Sequence, residues 1–498
     1  MRELISQKLL PLCKSVAVLL LLVKPVYGFP AAINSTLTSC LTESVDLDVA
    51  RAQFPFEAQY YKDDVHPYNY NFNRTPKAVM YPYNAKEVAA IVSCALPFGL
   101  KVQARGGGHD LNNKALGKTN QSTIVVDLQN MKSIKLNENT GVASVGAGAR
   151  LKDIVEALHT QGRRYMPHGA SATVGIGGHA AIGGLGLHSR LVGTALDTME
   201  AAEVVLANGT IANISNSNGA DIFWAIRGAG ASFGIVTEYA FQTSPEPEEV
   251  LNFEYVVASE EPAVLSEAFD VFQHIFANST LDRRLSAISV IQKNRTTFSG
   301  AFFGPASEYS SYDLEKKIPG ITNAAVYPAL TWSEHMERLF AATGHLFPEQ
   351  AFFDSLGTVI ALDTMPSKKS VVETFQHMQT QDPGSENWFA LVDVYGGAVN
   401  DVKTEATAFP HRNMAYIFAI YVTTDGVTTP VTNAYVDQAI LTIQDFSPDK
   451  YSNYAGYGNL RTKHPQQAFW GPNLPRLNSI KLQVDPENVF SSMHGVEP

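Results

Sequence analysis

The chain has 498 residues, 45% apolar and 17% charged, enough to bury a large core and to form two or more domains. Its formal net charge is −11, and an acidic surface argues against nucleic acid and anionic membranes as partners. Residues 1–28 read as a secretory signal peptide. Arg2, Lys8 and Lys14 precede the apolar run Val16 to Val23, and Val26-Tyr27-Gly28 offers compact residues for cleavage. The run is too short for a comfortable membrane span; a signal anchor is the alternative. Removing this segment takes away four basic and one acidic side chain and moves the net charge to −14. Of the three cysteines Cys13 leaves with it, so Cys40 and Cys94 remain as an even pair, read as one disulfide or else as two buried thiols. Sequons at Asn34, Asn73, Asn120, Asn208, Asn213, Asn278 and Asn294 are candidate surface glycan sites in an exported protein.

In chain order, Ala78 to Pro82 reads as a short strand and Asn84 as the cap of a helix from Ala85 to Phe98. Leu100 to Ala104 is the next strand, and it feeds the glycine loop Arg105-Gly106-Gly107-Gly108-His109-Asp110. Ile124 to Leu128 and Ala143 to Gly148 follow as strands, and Leu151 to Gln161 as an amphipathic helix ended by Gly162. A second cluster, Gly175-Ile176-Gly177-Gly178-His179 with Gly183-Gly184-Leu185-Gly186, comes about seventy residues after the first. Met199 to Leu206, the turn Asn208-Gly209 and Ile211 to Ile214 form a hairpin signal. Proline and acid at Thr243 to Pro247 mark a domain boundary. Beyond it, strands and helices such as Pro262 to Ala277 suggest an α/β domain with an antiparallel sheet. The tail is expected to run helically through Leu477 to Leu482. The resulting division is 1–28 signal peptide, 29–247 first domain, 248–450 second domain, and 451–498 closing segment.

Glycine lets a backbone approach a ligand closely, and successive free N–H groups suit a diphosphate. Two such loops carrying histidines point to a cofactor site. A nicotinamide fingerprint needs its glycines directly after a strand, whereas His168 to Ala172 before Gly175 is no strand. His109, His168, His179 and His188 lack the short paired spacing of a zinc site, so no metal is expected. Gly169-Ala170-Ser171-Ala172-Thr173 misses the last glycine of a hydrolase elbow.

Arg105-Gly106-Gly107-Gly108-His109, Pro167-His168-Gly169 and Gly177-Gly178-His179 resemble the flavin domain of the vanillyl-alcohol oxidase/p-cresol methylhydroxylase superfamily, berberine-bridge-enzyme-like branch. That branch includes fungal gluco-oligosaccharide oxidases. Arg227 to Gly230 and Phe233-Gly234-Ile235-Val236-Thr237 match the end of that domain. Asp393-Val394-Tyr395-Gly396-Gly397, Ala408 to Arg412, Tyr451-Ser452-Asn453-Tyr454, Gly471 to Leu477 and Asp485 to Phe490 resemble later motifs. The resemblance implies an α+β fold: a two-lobed flavin-binding domain of the p-cresol methylhydroxylase type plus an α/β substrate domain with an antiparallel sheet. It implies FAD joined covalently at its 8α carbon to His109. Arg105, Gly106, Gly107, Gly108, Asp110, His168, Gly178, His179, Gly183 and Val236 would complete the cofactor site. Tyr454 would be the catalytic base, assisted by Asp393.

Two positions depart from the family pattern. Ser171 stands where the sugar oxidases carry the cysteine of a second flavin bond, so attachment through one histidine is expected, with no cysteinyl link. That loss argues against a sugar. Asp110 stands where serine is usual. The expectation is a secreted, monomeric FAD-linked oxidoreductase acting on a small fungal biosynthetic intermediate, phenolic or polyketide, with O2 as acceptor. The alternatives are an oligosaccharide oxidase acting at the anomeric carbon and a flavin-fold ligand binder without turnover.

Overall fold

Apolar runs of strand length build three main sheets. The computed structural model describes residues 35–117, 120–344, 346, 350–445 and 451–498; the expected signal peptide and Asn34 lie outside the described residues. In the first sheet Ala52–Gln53, Ala78–Met80, Thr123–Asp127 and Lys101–Arg105 follow one another in space. Ala78–Met80 and Lys101–Arg105 run parallel to Thr123–Asp127. Parallel strands need a crossover, and helix Ala85–Ala95 provides the one from Ala78–Met80 to Lys101–Arg105, which flank Thr123–Asp127. Asn84 caps that helix by accepting the N–H groups of Lys86 and Glu87. The α-helix stops at Ala95, short of the expected Phe98. Pro97 has no N–H to continue it, and Leu96–Phe98 tighten into a 3₁₀ turn.

The second sheet is antiparallel, in the order Ile134–Asn137, Val142–Gly146, Ile235–Gln242, Met199–Val205 and Ile211–Ser215. Helix Leu151–Gly162 includes the glycine expected to end it; Arg163, with φ 51°, takes the left-handed cap instead. Residues of both sheets and of helices Ala85–Ala95 and Ala220–Ala229 share one core around Phe223, Phe233 and Phe241. The disulfide Cys40–Cys94 ties helix Ser35–Glu43 to helix Ala85–Ala95.

The third sheet has seven strands, in the order Asn323–Leu330, Val250–Ala258, Arg295–Phe302, Leu285–Gln292, Trp388–Val394, Met414–Thr424 and Phe352–Ala361. All its pairs are antiparallel. Helices Pro262–Phe276, Lys368–Thr380 and Pro430–Ile443 cover one face, burying Phe269, Phe272, Phe375 and Tyr435. Each such side chain contributes about 1.5–3 kcal/mol. Strand period does the rest. Trp388, Ala390, Val392 and Val394 point to the helices, so Phe389, Leu391 and Asp393 point the other way.

The closing segment stitches the lobes together. Ser452 and Tyr457 carbonyls accept the Val359 and Gly357 N–H groups at 3.0 and 2.9 Å, along the edge strand of the third sheet. The Val102 N–H donates to the Val489 carbonyl at 2.9 Å. Helix Leu474–Val484 carries Lys481, whose ammonium is fully buried against Asp485 at 2.6 Å and the Ser232 carbonyl at 2.7 Å. No helix among the described residues is long and apolar enough to cross a membrane.

Candidate active site

Both glycine clusters meet. A Cβ on Gly107 would fall on the backbone of Gly175, and one on Gly175 on that of Gly107. Only glycine permits that approach, at two points far apart in sequence. Arg150 fastens the contact, its Nη1 donating to the Gly107 carbonyl and, at 2.7 Å, to the Thr173 carbonyl. Between the loops and the third sheet lies a cavity of about 390 Å³. Gly106 to Asp110, Gly178, His179 and Val236 line one part of it; Tyr68, Leu391, Asp393, Tyr421 and Tyr454 line another.

The site suits a flavin dinucleotide on its own geometry. The N–H groups of Gly107, Gly108, His109 and Asp110 donate to no group among the described residues, so four donors stand ready for an anion. A Cβ on Gly178 would meet nothing within 4 Å, leaving its backbone open to a flat ring. Asp110 is occupied locally: its Oδ1 accepts the Asn112 N–H at 2.9 Å and its Oδ2 lies 3.9 Å from Lys114 Nζ. The carboxylate braces its own turn beside a cation.

His109 is half-buried, with its Nε2 2.9 Å from the Thr173 hydroxyl and its ring 4.7 Å from that of Tyr68. Burial, reinforced by the Arg150 charge, pushes its pKa down to about 4, so the imidazole is neutral. Arg105 directs its guanidinium away from a ligand, pairing with Asp127 and donating to the Val65 and Asp64 carbonyls at 2.7 and 2.6 Å. His179 accepts the Gly169 N–H at 2.9 Å and burial pushes it down to about 3; it orders the Gly169-Ala170-Ser171 turn as a neutral acceptor. Ser171 lines the cavity. The His168 side chain does not line it: its Nδ1 donates to the Gly169 carbonyl at 2.7 Å and its ring packs beside His188 and Phe340. Gly186 packs on the His168 main chain, where a Cβ would meet the His168 carbonyl.

At the far end Tyr454 is buried over Gly183, where a Cβ would lie 3.0 Å from its Cε2. Burial raises its pKa, the Gly184 N–H bonded to its oxygen opposes this, and a charge on Asp393 raises it further. Asp393 shares no hydrogen bond with Tyr454 among the described residues. Its Oδ2 instead accepts the Tyr457 hydroxyl at 3.1 Å, and burial pushes the carboxyl up to about 7 against that hydrogen bond. Gly396 and Gly397 explain the rest of the Asp393 motif. Gly397, with φ 56°, rests on the Arg190 carbonyl, while Arg190 Nη1 donates to the Tyr395 carbonyl at 2.5 Å. No group of three or more His, Cys, Asp or Glu among the described residues could hold a metal.

Tyr457, Tyr68, Tyr421 and Thr173 are site residues that sequence reasoning missed. Tyr457 was signalled by its place three residues after Tyr454; Tyr68 and Tyr421 arrive from distant segments with no motif. Among the sequon asparagines, Asn73, Asn120, Asn208, Asn213 and Asn278 are exposed and Asn294 is half-buried.

Residues 76–215 match the FAD binding domain family, and residues 453–497 the family described as berberine and berberine like. The FAD-linked oxidoreductase sorD of Penicillium rubens is 32% identical over 471 residues, covering 93% of this chain and 99% of the relative. A solved chitooligosaccharide oxidase superposes with a TM-score of 0.83 at 26% identity, covering 93% of this chain and 99% of its own. Glucooligosaccharide oxidase from Acremonium strictum, described with 6-S-cysteinyl, 8α-N1-histidyl FAD, superposes at 0.81 with 25% identity over 93% of this chain and 99% of its own.

Proposed function

The chain belongs to the berberine-bridge-like FAD-linked oxidoreductases, and from that premise we propose that it oxidises a small, largely apolar hydroxylated molecule, phenolic or polyketide, rather than an oligosaccharide. One observation carries the substrate class. Among the described residues, those the third sheet and helix Trp332–Gly344 contribute to the cavity are Ile288, Leu339, Thr343, Leu391, Asp393 and Tyr421. The Thr343 hydroxyl is already bonded to the Ala170 carbonyl at 2.6 Å. No amide, guanidinium or ammonium group stands there to meet a row of sugar hydroxyls, and polar groups left unpaired in such a wall cost binding.

FAD, when bound, supplies the two-electron acceptor. His109 is the proposed attachment point, with Ser171 forming no second link, and the free amides of Gly107 to Asp110 hold the diphosphate. Tyr454 would stand beside the substrate hydroxyl and take its proton as its own phenolic proton passes on towards Tyr457 and the ionised Asp393. Asp393 is the final proton store, coupled to the tyrosines through Tyr457; a carboxyl near neutrality is well matched to that task. Dioxygen is the proposed terminal acceptor. The apolar N-terminal run, the disulfide and the exposed sequons support a secreted, glycosylated protein.

The test is anaerobic mixing of the purified protein with phenolic and polyketide alcohols and, separately, with cello-, xylo- and chito-oligosaccharides. Bleaching of the visible flavin absorbance by the aromatic set alone is expected. Rapid bleaching by a sugar would make it a carbohydrate oxidase despite Ser171.

A further inference from the structure

Thr173 touches the cofactor site through one atom pair. Its hydroxyl oxygen lies 2.9 Å from His109 Nε2, and its carbonyl is held by Arg150, which also grips Gly107 in the His109 loop. The imidazole is thus tethered at Nε2 and covered by Tyr68. Nδ1 has no hydrogen-bond partner among the described residues.

A neutral imidazole carries its proton on one nitrogen only, and the bond made at one nitrogen decides which is left as the nucleophile. We propose that Thr173 is the positioning residue for flavin attachment: its hydroxyl accepts Nε2–H, fixing His109 in the tautomer and orientation that leave the lone pair on Nδ1. This rests on the reading of His109 as the attachment point. Attachment forms an Nδ1–C8α bond and breaks a C8α–H bond. Two protons leave, one from C8α and one from Nε2, the latter towards the Thr173 hydroxyl. The electron pair of the broken C–H bond passes to the flavin ring, and dioxygen removes the pair with both protons as hydrogen peroxide. Without Thr173 the ring is free to rotate or to hold its proton on Nδ1, where it cannot attack.

The experiment compares wild type, Thr173→Val, Thr173→Ser and His109→Ala after FAD is added in air to flavin-depleted protein. The readings are total bound flavin from the visible spectrum and the fraction that stays with acid-precipitated protein over time. Thr173→Val is expected to bind FAD yet attach it at least about tenfold more slowly, with Thr173→Ser restoring the rate. A valine variant that attaches FAD at the wild-type rate overturns the proposal. So does loss of all FAD binding in both Thr173→Val and Thr173→Ser, which would make Thr173 a packing residue. Acid-stable flavin in His109→Ala would instead remove the underlying reading of His109.

Discussion

The Tyr457 hydroxyl donates a 3.1 Å hydrogen bond to Asp393 Oδ2, and among the described residues no cation acts on that carboxyl. A phenol alone does not offset burial, so Asp393 titrates at about 7. On the proposed role, in which its ionised form takes the proton, flavin reduction should rise with pH through about 7 and then level off. Asp393→Asn should remove that limb. The folded-state value lies above the unfolded carboxylate range, so ionisation of Asp393 works against the fold as pH rises from that range to about 7. The melting temperature of Asp393→Asn relative to wild type should therefore climb between acid and neutral pH.

Tyr454 and Tyr457 separate by kinetics. Tyr454→Phe should slow anaerobic flavin reduction about 10²–10⁴-fold, the usual worth of a positioned proton acceptor. Tyr457→Phe removes a hydrogen bond to the ionised carboxylate, so its mark should be a midpoint above that of wild type. Stopped-flow rates across pH distinguish the two; an unchanged rate in Tyr454→Phe would put the base elsewhere.

Flavin attachment gives a sharper reading. The wild-type protein should keep its flavin through acid precipitation, His109→Ala should release all of it, and Ser171→Ala should behave as wild type. Retention by His109→Ala would mean another side chain holds the ring.

Gly107→Ala sets a methyl against the Gly175 backbone. Overpacking of this kind costs about 1–3 kcal/mol. The loops should part and FAD binding should fail with the fold retained, which far-ultraviolet dichroism and flavin absorbance measure together.

The Cys40–Cys94 bridge closes a sequence separation of 54 residues. Cys40→Ser with Cys94→Ser should cost about 2–4 kcal/mol, read as a lower melting temperature without reductant. Two titratable thiols in the unreduced wild type would remove the bridge.

The glycine loops were legible because close backbone approach admits one residue type, and that restriction is written in the chain. Asp393 was legible as part of a motif, and strand alternation then fixes the face it occupies. Its partner was not legible: Tyr457 reaches it only because residues 451–458 run along the edge strand Phe352–Ala361, a pairing that no local pattern encodes. The direction of the His168 ring was not legible for a similar reason. Its neighbours in sequence are glycines of the site, but its ring packs with His188 and Phe340. Helix ends slipped where proline and a left-handed Arg163 decided the last turn.

The wall carrying Tyr454 and Tyr457 is made last. Both lobes can leave the ribosome and begin to fold before residues 451–458 exist, yet the Asn112 side chain of the flavin loop and the Gly357 N–H of the third sheet bond to this one short stretch, at Gly458 and Tyr457. A nascent chain therefore lacks this wall of the cavity until residues 451–458 are made, and a product that stops before Tyr451 has the glycine cradle and Asp393 but neither Tyr454 nor Tyr457. The cavity is closed by a segment translated after both lobes.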